Sequence, residues 1–189
     1  MPTIAPENRA VAAQPSERIA SARLLLRKAK LADIDDLYEL NTDPKVTRWL
    51  SIPRYEHRHH YVQHFARFQH KWQRGTEYLW VLEEKHSGKV VGYLCCRRAD
   101  QTIDLGFAIT PSKWGLGYAT EAASTLMSAL QQQRFVKKIV AICDVRNLAS
   151  AQVLSKSGLH YRGLATEFIT YPDEPEHRYD AYFYALDIG

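Results

Sequence analysis

The sequence predicts a single α/β domain with a mixed, mostly antiparallel central sheet of about six to seven strands flanked by helices. Three observations predict this class. The length of 189 residues is that of one ordinary domain with a substantial core. Helical and strand periodicities both occur, and three predicted strands follow one another from residue 77 to residue 110. Helices and strands do not alternate strictly, which argues against a doubly wound fold.

The N-terminal part begins with a polar segment and then enters a strand and a helix. Residues 1–21 are rich in Pro, Ala, Glu and Ser, which predicts a flexible leader and places the folded domain at 22–189. An apolar and basic run over 22–29 predicts the first strand. A helix over 33–43 follows, with apolar residues at helical spacing and Asp33 as its N-cap.

Two more helices are expected before the main run of strands. The stretch 43–51 predicts one or two helical turns, and a longer amphipathic helix ends at Gly75. The apolar face of this longer helix carries Tyr61, Phe65, Phe68 and Trp72. These aromatic side chains are expected to belong to the core rather than to a cofactor site.

The second part of the chain reads mainly as strands. The runs 77–84 and 90–98 form a hairpin around a polar, glycine-containing turn, and 101–110 is a third consecutive strand. The remaining elements are predicted as helix 116–130, strand 137–145, helix 147–158 and two final strands, 159–170 and 176–188.

Composition and charge exclude several classes of function. The net charge is only +4, and basic and acidic residues are interspersed, which argues against nucleic-acid binding. No run approaches the roughly 18 apolar residues of a membrane span, and the N-terminus lacks the pattern of a secretory signal. Cys95, Cys96 and Cys143 cannot all pair, so free buried thiols in a reducing compartment are expected. The sequence therefore predicts a cytoplasmic protein that binds neither membranes nor nucleic acid.

The stretch "PSKWGLGYATEAA", residues 111–123, carries the main functional signal. A strand, a glycine turn and a helix start bring unpaired N–H groups and the positive end of a helix dipole together, which makes an anion site. Gly115 and Gly117 let the backbone approach a phosphate closely. The Walker pattern is absent, and the dinucleotide pattern fails at its third glycine, where Thr120 stands.

The same stretch resembles the acyl-CoA pyrophosphate loop of the GNAT acetyltransferase superfamily, which runs Q/R-x-x-G-x-G/A. Trp114, Gly117 and Ala119 occupy its three fixed places. A Trp at the first place is typical of the branch of ribosomal-protein N-terminal alanine and serine acetyltransferases, whose loop reads W-G-x-G-[YF]-A-T-E-A. The runs "DLGFAI" and "NLASAQVLSKSGLHY" match the same branch in order, so the resemblance covers about residues 22–188.

The resemblance implies an enzyme that transfers the acetyl group of acetyl-CoA to a primary amine within a ternary complex. It assigns backbone groups of Phe107, Ala108 and Ile109 to the pantetheine arm and the amides from Gly115 to Thr120 to the pyrophosphate. The cofactor residues that it implies are Phe107, Ala108, Ile109, Trp114, Gly115, Leu116, Gly117, Tyr118, Ala119, Thr120, Asn147 and Ser150.

The resemblance also implies candidates for the proton transfers. Ser150 is the candidate general acid, because the place of the Tyr that many superfamily members use is taken by Leu154. Asn147 is expected to contact the pantetheine arm, to cap the helix, or both. Glu167 and Asp104 are rival general bases, and either can instead be a solvated strand carboxylate. No base is required if the acceptor is an α-amine.

Two other kinds of site are disfavoured. His60 and His64 have the spacing of a zinc pair, but no Cys or Glu completes the site, so no metal is expected. The G-x-S-x-G elbow of Ser-His-Asp hydrolases is absent from the sequence.

The expected partner is an amine acceptor, with a protein N-terminus of the ribosomal kind as the first candidate. A polyamine, an antibiotic or an amino-acid derivative is the second, and a non-catalytic acyl-CoA-binding module is the alternative from a different class. Trp49 and the stretch 171–179 are expected to border the acceptor pocket. The acidic residues Asp173, Glu174 and Glu176 suit a cationic amine or are simply a solvated turn. The expected oligomeric state is monomer or homodimer.

Overall fold

A computed structural model describes residues 14–189 and confirms the α/β class. Its strands are β1 (Arg18–Ala20), β2 (Leu24–Lys28), β3 (Glu77–Glu84), β4 (Val90–Ala99), β5 (Thr102–Ile109), β6 (Lys138–Asp144), β7 (His160–Tyr171) and β8 (Glu174–Asp187). Its α-helices are α1 (Ile34–Thr42), α2 (Pro44–Thr47), α3 (Arg58–Arg74), α4 (Tyr118–Gln131) and α5 (Leu148–Lys156). The elements that periodicity predicts are therefore present, with ends that differ by a few residues.

The described strands form one eight-stranded sheet in the order β1-β2-β3-β4-β5-β6-β8-β7. Neighbouring strands are antiparallel except β5 and β6, which are parallel. The sheet has one strand more than the six to seven that were predicted. The additional strand is β1, which lies inside the segment expected to be a leader and pairs with β2. The described strands thus begin before residue 22, and β1 was not predicted because three residues are too few to show a strand periodicity. Residues 1–13 of the expected leader lie outside the described residues.

The parallel pair β5 and β6 stays in register for only three residue pairs, from Thr102↔Lys138 to Asp104↔Val140. Beyond Asp104 the two strands part. Strand β5 remains paired with β4 up to Ile109, and β6 remains paired with β8 up to Asp144. The sheet therefore opens between Leu105–Ile109 and the end of β6, and backbone groups on the facing edges have no strand partner there.

Helices cover both faces of the sheet, and strand β3 shows why. Its side chains alternate, so Tyr78 and Trp80 pack in the core that includes α4, while Leu79 and Val81 pack in the core that includes α1 and α3. Burial on both faces explains why this strand reads as an almost continuous apolar run. Tyr61, Phe65 and Trp72 of α3 are buried and Phe68 is partly buried, which confirms their expected place in the core. None of the helices within residues 14–189 is long and apolar enough to cross a membrane.

The expected capping role of Asp33 is wrong. Its carboxylate makes no cap hydrogen bond to α1. It accepts two hydrogen bonds from Arg27, each at 2.7 Å, and one from the amide of Lys30 at 2.8 Å. A buried guanidinium needs an ionised partner, and this requirement outweighs the local preference for a cap.

Candidate active site

A cavity of about 750 Å³ opens where β5 and β6 part. Side chains and backbone from β5, the glycine loop (defined here as residues 114–117), α4, α5 and β7 line it, and we call it the main cavity. The predicted site residues that line it are Asp104, Phe107, Ala108, Ile109, Trp114, Gly115, Gly117, Tyr118, Ala119, Thr120, Asn147 and Ser150. Residues far apart in the chain are thus brought to one place. Cys95 and Cys143, which are free as predicted, also line the cavity.

The glycine loop and the first turn of α4 form a candidate anion site. Gly115 and Gly117 have φ values of 74° and 78°, a left-handed conformation that glycine adopts without steric cost. Within residues 14–189, the amides of the loop from residue 115 to 117 donate to no other protein group. The next three amides, from Tyr118 to Thr120, open α4, where an α-helix leaves its N–H groups unpaired. Six amides without a protein partner among the described residues and the positive end of the helix dipole therefore lie close together, an arrangement that suits an anionic group.

Two side chains hold the glycine loop against its surroundings. The indole Nε1 of Trp114 donates to the carbonyl of Ile109 at 2.7 Å. Nη1 of Arg23 donates to the carbonyl of Leu116 at 2.9 Å, and the same guanidinium pairs with Glu121 at 2.7 Å. Leu116 was expected to contact the cofactor, but it is exposed and does not line the main cavity.

The free edge of β5 offers fewer backbone groups than the resemblance implies. The amide of Thr110 donates to the carbonyl of Val91 on β4, which fixes the alternation along β5. Ala108 therefore directs its N–H and C=O towards β4, whereas Phe107 directs both towards the opening. Ile109 also faces the opening, but its carbonyl already accepts the Trp114 indole. Phe107 alone of these three keeps both groups for a ligand, and the expected pairing through Ala108 is wrong.

Asn147 and Ser150 lie at the start of α5. The Asn147 side-chain oxygen accepts a hydrogen bond from the amide of Ser150 at 3.1 Å, which makes Asn147 the N-cap of the helix. The Ser150 hydroxyl has no hydrogen-bond partner within the described residues, and Ser150 lines the main cavity. The cap thus fixes the backbone of a serine that lines the main cavity and whose hydroxyl has no protein partner in the described part of the chain.

Asp104 lies in the last residue pair before β5 and β6 part. Its side chain is 42% exposed and lines the main cavity. Partial burial raises the pKa of this carboxyl, and Glu77 adds to the rise, while Arg97, 3.9 Å away, lowers it. A carboxylate with a raised pKa beside a ligand cavity has the properties of a general base.

Comparison with known proteins agrees with this geometry. The family model described as "Acetyltransferase (GNAT) domain" matches residues 23–160. The chain belongs to this GNAT family. It is an acyltransferase, an N-acetyltransferase of the GNAT type.

Relatives of this GNAT protein share its length and fold. The uncharacterized N-acetyltransferase YnaD of Bacillus subtilis is 24% identical over 170 residues, which are 89% of this chain and 95% of YnaD. The solved structure of RimL, a ribosomal L7/L12 α-N-protein acetyltransferase, in complex with coenzyme A has a TM-score of 0.82 at 20% identity, with 91% of this chain and 98% of that one covered. Spermidine N-acetyltransferase from Vibrio cholerae in complex with CoA and spermine has a TM-score of 0.75 at 16% identity, covering 88% and 96%. At these identities the solved structures show a shared fold.

Glu167 does not line the main cavity of this GNAT domain, contrary to the expectation that it is a rival base. The register of β7 against β8 shifts between Ala165 and Ile169, and Glu167 has a φ of 50°. Its amide donates to Asp180 at 2.9 Å. This irregular stretch leaves Glu167 exposed, whereas Phe168, Ile169 and Thr170 line the cavity. Asp104 is the carboxylate of the two that reaches the site.

A second cavity of about 380 Å³ adjoins the main cavity, and Trp49 lines both. Its lining residues are Arg48, Trp49, Arg54, Arg146, Tyr171, Asp173 and Glu174, and we call it the arginine cavity. Trp49 and three residues of the 171–179 stretch line this cavity, whereas the meeting of the arginines was not predicted. They come from two separate segments, residues 48–54 and Arg146, so no local pattern brings them together.

The acidic turn at the arginine cavity is not free to receive a cation. Asp173 pairs with Arg54 at 2.7 Å, and Glu174 accepts a hydrogen bond from Tyr179. The buried Asp144 pairs with Arg146 at 2.7 Å and accepts the hydroxyl hydrogen of Tyr171 at 3.0 Å. Burial opposes ionisation of Asp144, but the hydrogen bonds from Arg146 and Tyr171 outweigh it and lower the pKa. The carboxylates here are structural partners of the arginines and of tyrosines.

Within residues 14–189, no group of three or more His, Cys, Asp or Glu side chains is arranged to hold a metal ion. His64 is partly buried beside Tyr55 and Phe68, and burial lowers its pKa. It behaves as a neutral packing residue of α3.

Proposed function

We propose that this protein acetylates the α-amine of a protein N-terminus, with acetyl-CoA as the donor and by direct attack in a ternary complex. The observation that carries the proposal is the continuity of one cavity from the glycine loop and the start of α4 to Ser150 and Asp104. An anion site, a free strand edge and a proton donor thus follow one another along the opening between β5 and β6.

The residues fit the parts of acetyl-CoA. The amides at the glycine loop and at the start of α4 suit the pyrophosphate. The N–H and C=O of Phe107 suit the amide groups of the pantetheine arm, since an extended chain adds to a free strand edge by backbone hydrogen bonds. The thioester end then lies towards the α5 start, where Ser150 is.

The acceptor class follows from the proton that the amine must lose. At neutral pH a lysine amine costs about 4 kcal/mol to deprotonate, whereas an α-amine costs only about 1 kcal/mol. The main cavity contains one carboxylate with a raised pKa, Asp104, and its partner Arg97 limits that rise. A single base of this kind is sufficient for an α-amine.

The two proton transfers are then divided between Asp104 and Ser150. The amine nitrogen forms a bond to the acetyl carbonyl carbon, and the carbon–sulfur bond of the thioester breaks. Asp104 takes the proton from the amine. Ser150 donates its hydroxyl hydrogen to the departing sulfur, so that CoA leaves as the thiol and the acceptor becomes an amide. Ser150 then regains a proton from water and Asp104 releases its proton to water, which restores both groups for the next turnover.

The similarity to a ribosomal-protein acetyltransferase supports a protein N-terminus as acceptor, and the likeness to a spermidine acetyltransferase raises a polyamine as the alternative. The arginine cavity argues against the polyamine. Its lining has three arginines and two carboxylates, and Asp173 is already paired with Arg54, so it holds no excess of negative charge. A polycation gains little in such a pocket.

A thiol-release assay with three acceptors tests the proposal. We expect release of CoA with peptides that begin with Ala or Ser, and none with the same lysine-containing peptides whose N-termini are blocked, nor with spermidine. A preference for spermidine would refute the protein acceptor. Binding of acetyl-CoA without thiol release for any amine would favour a non-catalytic acyl-CoA-binding module.

A further inference from the structure

The carboxylate of Glu84, at the end of β3, joins both flanks of the glycine loop. Nζ of Lys113, the residue before the loop, donates to its Oε1 at 2.6 Å. The hydroxyl of Tyr118, the first residue after the loop, donates to the same oxygen. Ser87 donates to the other oxygen at 2.6 Å. One carboxylate thus bridges the two ends of the segment that carries the anion site.

Glu84 is well placed to act as a fixed point. Its side chain is only 11% exposed. Hydrogen bonds from Lys113, Ser87 and Tyr118 lower its pKa to about 2 against the opposing effect of burial, so it is fully ionised at neutral pH. It sits on a strand paired on both sides, by β2 and by β4.

The glycine loop itself has little to hold its shape. It belongs to no strand or α-helix, and two of its four residues are glycines in the left-handed region, which favours many alternative backbone conformations. The directions of its amides therefore depend on the groups that fix its flanks and its middle. Arg23 fixes the middle through the Leu116 carbonyl, and Glu84 fixes both flanks.

We propose that Glu84 is a positioning residue for the acetyl-CoA pyrophosphate, acting through Lys113 and Tyr118. Glu84 is absent from the lining of the main cavity, whereas Lys113 and Tyr118 line it. Glu84 acts on the ligand by holding these two residues and the amides between them. The inference rests on the proposed use of acetyl-CoA.

The direction in which CoA affinity changes when the Glu84 charge is removed tests the inference. Removing a negative charge beside an anion site strengthens anion binding if charge alone matters. The loss of a positioning carboxylate acts in the opposite direction. A variant Glu84→Gln that binds CoA more weakly therefore identifies positioning rather than charge.

The test measures, by calorimetry, the binding of CoA, dephospho-CoA and pantetheine to the wild-type protein and to Glu84→Gln. We expect Glu84→Gln to weaken CoA and dephospho-CoA alike, by roughly tenfold, the effect of about 1.4 kcal/mol. Pantetheine, which lacks the pyrophosphate, should bind both proteins equally. The control is Glu83→Gln on the same strand, whose carboxylate accepts from Arg27 at 2.6 Å and does not contact the loop. It should leave all three affinities unchanged.

Three results would overturn the inference: CoA binding by the variant that equals or exceeds that of the wild type, weakening of CoA without weakening of dephospho-CoA, or weakening of pantetheine as well. The second result would assign Lys113 to the 3′-phosphate, and the third would show a general structural role. If Glu84→Gln fails to fold, Tyr118→Phe removes one of the three hydrogen bonds to Glu84. It must then weaken CoA and dephospho-CoA alike, by a smaller factor, and leave pantetheine affinity unchanged. A wild-type protein that binds none of the three ligands would instead refute the proposed function.

Discussion

The indole of Trp114 donates a hydrogen bond to the carbonyl of Ile109, so the glycine loop is tied to the last residue of β5. Trp114 stands where the superfamily pattern has Gln or Arg. Its indole closes the turn between the strand edge that faces the opening and the amides of the anion site. The relative position of these two groups is what a long extended cofactor requires.

Trp114→Phe tests this tie. Phe keeps an aromatic ring but cannot donate, and one lost hydrogen bond is worth about 1 kcal/mol. We expect CoA affinity to fall by about fivefold, with little change in the melting temperature because Trp114 is partly exposed. Calorimetry and thermal denaturation measure the two quantities. An unchanged affinity would mean that the indole hydrogen bond does not position the loop.

Gly117→Val tests the anion site itself. A side chain with left-handed φ costs about 1–2 kcal/mol, and a Cβ at Gly117 would meet only Arg23, at 3.5 Å, so the fold should survive. The new side chain blocks the approach of a pyrophosphate to the amides, and CoA binding should be lost.

Gly88→Val is the matched control for Gly117→Val. Gly88 has a φ of 69° and space for a Cβ, but it lies in the β3–β4 turn outside the main cavity. It should lose similar stability and keep CoA affinity. If both variants bind CoA as the wild type does, the loop is not the pyrophosphate site.

Ser150→Ala separates catalysis from binding. General acids contribute about a hundredfold or more in rate, so kcat should fall by about that factor while the Kd for CoA stays constant. Ser155→Ala on the exposed side of the same helix is the control and should retain full activity. Steady-state thiol release and calorimetry give both quantities. A variant with normal kcat would leave the acid role to solvent.

Asp104 should give the pH dependence of the reaction. A base works when deprotonated, and burial raises the pKa of Asp104 above that of an ordinary aspartate, so kcat/KM should rise with pH through this raised value. Asp104→Asn should lower kcat/KM by about tenfold or more and abolish that rise.

Glu167→Gln is the matched variant for Asp104→Asn. Glu167 lies outside the cavity, so its profile should equal that of the wild type. The reverse pattern, with Glu167 controlling the rate, would contradict the assignment of the base.

The buried pair Arg27–Asp33 is expected to matter for stability rather than catalysis. Their side chains are 8% and 4% exposed, and removal of one partner of such a pair costs about 3–5 kcal/mol. Asp33→Ala should therefore lower the free energy of unfolding in urea by this amount. Asp35→Ala removes the partner of Arg58 in a pair that is 77% and 54% exposed, and it should cost less than about 1 kcal/mol. Equal effects would show that burial does not set the energy of the pair.

Local sequence patterns were sufficient to predict those parts of the fold and of the candidate site whose residues are neighbours in the chain. The candidate anion site lies within residues 115–120, and Asn147 caps the helix that carries Ser150 three residues later. The burial of β3 and of the aromatic face of α3 likewise follows from periodicity, because the apolar positions in each segment are the ones that pack in the core. The sequence did not reveal that the N–H and C=O of Ala108 face β4, because this depends on the register between β5 and β4.

By itself, then, the sequence determined the fold class, the glycine loop and the residues that open α4 and α5, because helix and strand periods and turn chemistry act over a few residues. Only the tertiary structure decided which groups meet across the sheet. Glu84 is 29 residues from Lys113, the arginine cavity joins three segments, and a register shift in β7 keeps Glu167 away from the main cavity. Such contacts are set by strand register and by the parting of β5 and β6, which depend on the packing of the whole domain.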